Sequence, residues 1–154
     1  MKLRIALPAL LASLALPALA DNYSLPKNVA FEEECTSCHI AYPPQMLDAH
    51  SWLHMMNGLA THFGTDASID DKRRAAIADF LAQNSGGRKT GRTVDAKGNP
   101  LLRITETARF EKKHRDITAA TWKRASIKSP ANCGACHTQA AAGDYSERSI
   151  IIPK

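Results

Sequence analysis

The chain has 154 residues, of which 44% are hydrophobic and 23% charged, a size that suits one compact domain or two very small lobes. Its 20 Lys and Arg against 15 Asp and Glu give a net charge of +5, yet the basic residues are scattered among acidic ones and no aromatic-interleaved basic patch is present. That distribution excludes a nucleic-acid surface and reads as a solvated face.

Met1-Lys2-Leu3-Arg4 is a short basic start, followed by an apolar run from Ile5 to Leu16 and a small-residue end at Ala18-Leu19-Ala20. This pattern predicts a secretory signal peptide over residues 1–20, cleaved after Ala20, and a periplasmic protein. Pro8 and Pro17 interrupt the run, which is short for a bilayer span, so an uncleaved anchor is the lesser reading. Nothing later in the chain approaches a membrane span.

After an extended lead-in from Asp21 to Pro26, Phe31 and the run Glu32 to Glu34 precede the pentapeptide Cys35-Thr36-Ser37-Cys38-His39. A second pentapeptide, Cys133-Gly134-Ala135-Cys136-His137, stands near the other end, and the pair uses all 4 cysteines. Each is a C-x-x-C-H run, the attachment signature of a c-type haem. Two thiols one helical turn apart add across the haem vinyl groups, and the adjoining imidazole ligates the iron. A zinc knuckle, a redox dithiol or a disulfide would explain one C-x-x-C, but none of them requires a histidine after the second cysteine twice over. Acidic residues ahead of Cys35 suit a helix start, so the first motif is expected as a turn of helix that stops before Pro43-Pro44.

From Gln45 to Phe63 a helical pattern returns. With Trp52 at zero and about 100° per residue, Met55, Met56, Leu59 and Phe63 fall within about 60° of it. His62 lies at the edge of that stripe, at about −80°, whereas His50 and His54 lie on the opposite face. Gly64 can supply a left-handed cap. Ser68 or Asp70 opens the next helix, over residues 71–83, with Ala75, Ile77, Phe80 and Leu81 among charged positions.

Residues 86–100 carry no apolar periodicity and read as a linker between an N-terminal lobe over 21–85 and a C-terminal lobe over 101–154. In the second lobe, Thr105-Glu106-Thr107 starts a short helix on which Phe110, His114 and Ile117 share a face. Trp122, Ile127 and Pro130 lead to the second motif, a further haem-binding helix. The apolar tail Ile150-Ile151-Ile152 is expected to pack back on the lobe or to form one short strand. The fold class is therefore mainly α: two small cytochrome-c-like helical lobes with long loops, each around one covalently attached haem.

His39 and His137 occupy one side of each iron, and the other side decides the chemistry. In the C-terminal lobe His114 is the other histidine and there is no methionine, so a haem served from its own lobe by either residue type would take His114. For the first haem, ligand chemistry and position favour His62, with Met55 and Met56 as competitors on the same face. His50 and His54 read as surface residues. Two imidazoles favour ferric iron more than His with Met does, so both centres should lie at low potential, closed to substrate.

The residues Glu34 to Pro44, Ser51-Trp52, His62-Phe63-Gly64, Arg103 to Thr107, His114, Asn132 to His137 and Gly143-Asp144-Tyr145 together resemble the small periplasmic dihaem cytochromes c, the DHC family. The resemblance spans about residues 34–153. It implies two bis-histidine haems in a two-lobed, mainly helical fold, with His62 and His114 at the family's distal-ligand positions. It further implies an electron-transfer protein rather than an enzyme, with a small monohaem cytochrome c as acceptor and a membrane b-type cytochrome as donor. Two other readings are the dihaem subunit of a periplasmic nitrate reductase and a haem enzyme or sensor with a displaceable ligand. The basic residues could then include a docking patch for an acidic redox partner.

Overall fold

The computed structural model describes residues 21–154 except 25, 88, 89 and 92. The signal peptide expected over 1–20 lies outside the described residues. Among the described residues there are five α-helices: α1 Val29–Cys35, α2 Ala49–Asn57, α3 Asp71–Gln83, α4 Ala108–His114 and α5 Ala119–Trp122. Among the described residues there is no strand, and isolated bridges and short 3-10 turns connect the helices.

Side-chain caps set most helix starts. The carboxyl or amide oxygens of Asn28, Asp48 and Asp70 accept from the backbone N–H three residues on, in α1, α2 and α3 respectively, and the Thr107 and Thr118 hydroxyls do the same for α4 and α5. Helix α1 ends at the first cysteine, not beyond the motif as expected. The N–H and hydroxyl of Thr36 both donate to the Glu32 carbonyl, at 3.2 and 2.7 Å, and the Ser37 hydroxyl donates to the Glu34 carbonyl at 3.0 Å. These local bonds satisfy the last carbonyls and terminate the helix, so the motif occupies the turn after it. The second motif forms a 3-10 turn, Cys133–Ala135, instead of an α-helix.

The expected helix over 45–63 is also shorter. Helix α2 stops at Asn57, Gly58 follows, and a 3-10 turn over Leu59–Thr61 carries the chain to His62. Phe63 and Gly64 both have positive φ, 50° and 96°, a conformation that costs the phenylalanine strain and the glycine little. Phe63 accordingly leaves the apolar stripe and is 46% exposed. Its ring is covered by the Arg103 guanidinium, 4.1 Å from the centroid.

The first core joins α1, α2 and α3 through Phe31, Leu47, Trp52, Met56, Ile77, Ala78 and Leu81. Burying Ile77 and Leu81 contributes about 1.5–3 kcal/mol each. The buried Trp52 indole N–H donates to the Pro44 carbonyl at 2.7 Å, which ties α2 to the turn after the first motif. A second core, Met46, Ala140 and Tyr145, gathers Tyr23, Ile40, Tyr42, Ile104 and Cys133 from both ends of the chain.

The expected linker over 86–100 is anchored to the N-terminal half at its start, while most of its described residues further on are exposed. Thr90 is buried, the Gly86 N–H donates to the Leu47 carbonyl at 2.8 Å, and any Cβ at Gly86 would collide with the Gln45 carbonyl oxygen. The lead-in crosses to the other half: Tyr145 N–H donates to the Asp21 carbonyl at 3.0 Å and Tyr23 N–H to that of Gly143 at 2.9 Å. The Asp21 carboxylate accepts from Arg109 and, at 3.0 Å, pairs with Lys113.

Candidate haem sites

The turn after α1 presents His39 at the surface, and the turn after α2 brings His62 to face it, with ring centroids 6.2 Å apart and planes 26° apart. His39 Nδ1 lies 2.7 Å from the Ile40 carbonyl oxygen. Because a carbonyl only accepts, that nitrogen carries the proton and Nε2 keeps its lone pair. The other face of the His39 ring stacks on Tyr42 at 4.8 Å, and the Tyr42 hydroxyl donates to the Ala131 carbonyl at 2.7 Å. Burial, the neighbouring His39 and the Arg103 charge hold the His62 imidazole below its ordinary range, hence neutral.

Helix α4 ends on His114, whose Nδ1 donates to the Phe110 carbonyl one turn back, at 3.0 Å. This bond again leaves Nε2 free. His114 stacks on Phe110 at 4.0 Å and leans on Trp122 at 5.8 Å. It faces His137, with centroids 6.1 Å apart and planes 72° apart. An open cavity runs past both rings and is lined by Trp122, Cys133, Cys136 and Tyr145. Burial lowers the pKa of His114 and of His137, whose neighbour His114 adds to the effect. Both rings therefore favour the neutral form that a metal requires.

The spacing of each pair suits one metal ion between two imidazoles. A metal–nitrogen bond of about 2 Å, with each nitrogen about 1.1 Å from its ring centroid, puts the centroids about 6 Å apart. Among the described residues no three His, Cys, Asp or Glu converge on a metal position, so neither motif is folded as a zinc knuckle. None of the 4 cysteines is in a disulfide. Burial pushes Cys35 up to about 11, with Glu34 adding to it, and Cys133 also up to about 11. A redox dithiol needs a lowered thiol pKa, and these are raised. The His137 Nδ1 and the Tyr145 hydroxyl are buried without a partner beside the second cavity, polar atoms that a cofactor or its water can satisfy. The residues fit two haems.

The structure thus brings His39 to His62 and His114 to His137, and places Cys35 and Cys133 at partly buried positions. His50 and His54 are exposed on α2. Met56 is buried in the first core, with Met55 packed against it, and Met46 lies in the second. The aromatic partners Tyr42 and Tyr145 escaped the reading of candidate site residues. Their signal was an aromatic a few residues beyond each motif, which does not reveal a ring stack.

A family model described as dihaem cytochrome c matches residues 31–145. Two solved structures of dihaem cytochrome c from Rhodobacter sphaeroides are 36% identical to the chain. One covers 79% of this chain and 100% of its own, with a TM-score of 0.66, and the other 77% and 97%, with 0.69. A dihaem cytochrome c from Shewanella baltica OS155 is 32% identical over 84% of this chain and 95% of its own, with a TM-score of 0.71. No curated protein matches. The chain belongs to the dihaem cytochrome c family, which implies two covalently bound haem c groups and electron transfer.

Proposed function

We propose that this dihaem cytochrome c is an exported, periplasmic carrier in which Cys35 and Cys38 hold one haem and Cys133 and Cys136 the other. His39 and His62 would hold the first iron, and His114 and His137 the second. The observation that carries this reading is the repeated spacing of facing imidazoles, 6.2 Å and 6.1 Å. When bound, each haem supplies a reversible one-electron couple at its iron.

The chain's own residues keep that couple closed and tuned. The carbonyls of Ile40 and Phe110 take the Nδ1 protons of His39 and His114, which aims each Nε2 inward. Tyr42, Phe110 and Trp122 hold the rings by stacking. Two imidazole donors on each iron would favour its ferric state and a low potential, and would leave no position on the iron for substrate. A carrier of this kind suits a small monohaem cytochrome c as acceptor and a membrane b-type cytochrome as donor.

Optical and carbon monoxide-binding spectra of the purified holoprotein test the reading. Low-spin signals from both haems and no carbon monoxide adduct on reduction are expected. Replacing His62 or His114 by Ala should open one haem each, the first or the second. A high-spin signal or ready carbon monoxide binding in the unaltered protein overturns the closed-carrier reading.

A further inference from the structure

Charge is divided sharply between the two attachment motifs. From Asn28 to Asp71 the chain holds seven Asp and Glu and no Lys or Arg, and Cys35 to His39 lie within this stretch. From Ile117 to Gly143, around the second motif, there is no Asp or Glu, and the charged residues are Lys123, Arg124 and Lys128.

The fold keeps this division at the surface. On the first side, Arg73 from α3 reaches Glu33 and Glu34 at 3.3 and 2.5 Å and is consumed by them. Arg74, Arg103, Arg109, Lys113 and Arg115 are likewise in ion pairs with carboxylates. Lys123, Arg124 and Lys128 are exposed on one turn after α5, where the Lys128 N–H donates to the Arg124 carbonyl at 2.8 Å, and none of the three pairs with a carboxylate of the described residues.

The tail lies against this turn. Arg124 Nη1 donates to the Pro153 carbonyl at 2.7 Å, and the Ser126 hydroxyl to that of Lys154 at 3.0 Å. The Ile151 N–H in turn donates to the Cys136 carbonyl at 2.9 Å. These bonds set two exposed apolar side chains, Ile151 at 64% and Ile152 at 44%, between the three cations and the second motif. Ile152 also lines the cavity beside His114 and His137, so a haem held there would cover part of it and leave Ile151, which does not line that cavity, as the outward member of the pair. A small apolar centre framed by unpaired charge of one sign is the composition of a transient, electrostatically steered contact.

We propose that Ile151 and Ile152, framed by Lys123, Arg124 and Lys128, are the docking surface for an acidic electron-transfer protein, which this surface holds beside the second motif. The assignment of an electron-transfer partner rests on the two-haem carrier reading. The three cations supply the steering charge and the isoleucines the dry contact. The carboxylate-rich surface at Glu32 to Glu34 disfavours the same partner at the first motif.

The test uses the reduced, diamagnetic holoprotein, labelled for amide NMR, at low ionic strength. Flavodoxin, a small acidic flavoprotein, is the protein probe, and vesicles of phosphatidylglycerol with phosphatidylcholine are the lipid probe. Shifts on adding flavodoxin are expected at Lys123 to Lys128 and Ile151 to Ile152, fading as salt is raised. The K123Q/R124Q/K128Q variant should bind at least about tenfold more weakly, and Ile151→Ser should weaken binding with its salt dependence unchanged. Shifts at Glu32 to Glu34, no binding, or binding to the vesicles without flavodoxin would overturn the proposal. The low-spin spectra of the variants and the unaltered protein report haem ligation independently. A failed ligand assignment is therefore seen apart from a failed docking surface.

Discussion

His114 and His137 face each other at 6.1 Å with their planes 72° apart, whereas His39 and His62, at 6.2 Å, are within 26° of parallel. The difference follows from what holds each ring. Tyr42 stacks on His39 with planes 23° apart, Phe110 stacks on His114 at 18°, and Tyr145 tilts against His137 at 43°.

With these imidazoles as axial ligands, the relative ring orientation splits the iron d orbitals differently at the two sites. Electron paramagnetic resonance of the oxidised holoprotein is expected to give one rhombic low-spin signal from the near-parallel pair and one strongly anisotropic signal from the crossed pair. The anisotropic signal should vanish in the His114→Ala protein while the rhombic one persists. Two identical signals would contradict the geometry.

Tyr42 joins the first site to the second, through its stack on His39 and its hydrogen bond to the Ala131 carbonyl. Tyr42→Phe keeps the ring and loses the bond, and should lower stability by about 0.5–1.5 kcal/mol with the optical spectrum unchanged. Tyr42→Leu removes the stack as well and should alter the first site's ligand-field signals. Denaturant unfolding and spectra of both variants check the distinction.

Asp48 caps α2, accepting from the Ser51 N–H at 2.7 Å. Partial burial works against its charged form, but the bonds from Ser51 and Thr93 and the nearby His50 together outweigh it and hold the carboxyl below the usual range. Asp48→Ala is expected to cost about 0.5–2 kcal/mol, and Asp48→Asn, which retains an acceptor, far less. Equal losses in the two variants would show that the cap is not what Asp48 contributes.

Acid should weaken the fold through the facing imidazoles. His62, His114 and His137 must be neutral to hold an iron, and burial already keeps each below its ordinary range, so the unfolded chain binds more protons than the native one once the pH falls below 6.5. Their contribution is complete above 6.5 and declines as the pH drops towards the folded values. The denaturant midpoint should therefore be lower at about pH 5 than at about pH 8. A midpoint that rises on acidification would be incompatible with neutral native imidazoles.

Much of this was readable one residue at a time. The two C-x-x-C-H runs declare two haems because thioether attachment and proximal ligation need those atoms within five residues. Helix α3 was legible because Asp70 caps it and Ile77 and Leu81 repeat at its period, all local properties. The extent of α2 was not, since apolar spacing continued past Asn57 while Gly58 and the following 3-10 turn ended the helix. His62 therefore reaches His39 from a 3-10 turn and not from the continuous helix whose wheel also singles it out at the edge of the stripe.

By itself the sequence declared a two-haem c-type chain that is predominantly helical, and pointed to the thiols and adjoining imidazoles of its two motifs as the attachment residues. Only the tertiary structure decided which distant ring meets which motif, how the rings are turned, and how the two halves are fastened. The tail and the α5 turn, far apart from the first motif in charge, likewise meet beside Cys136 only in the fold. Local motifs depend on atoms a few bonds apart, whereas ring pairing depends on the packing of Trp52, Met46 and Tyr145, whose partners are distant in sequence.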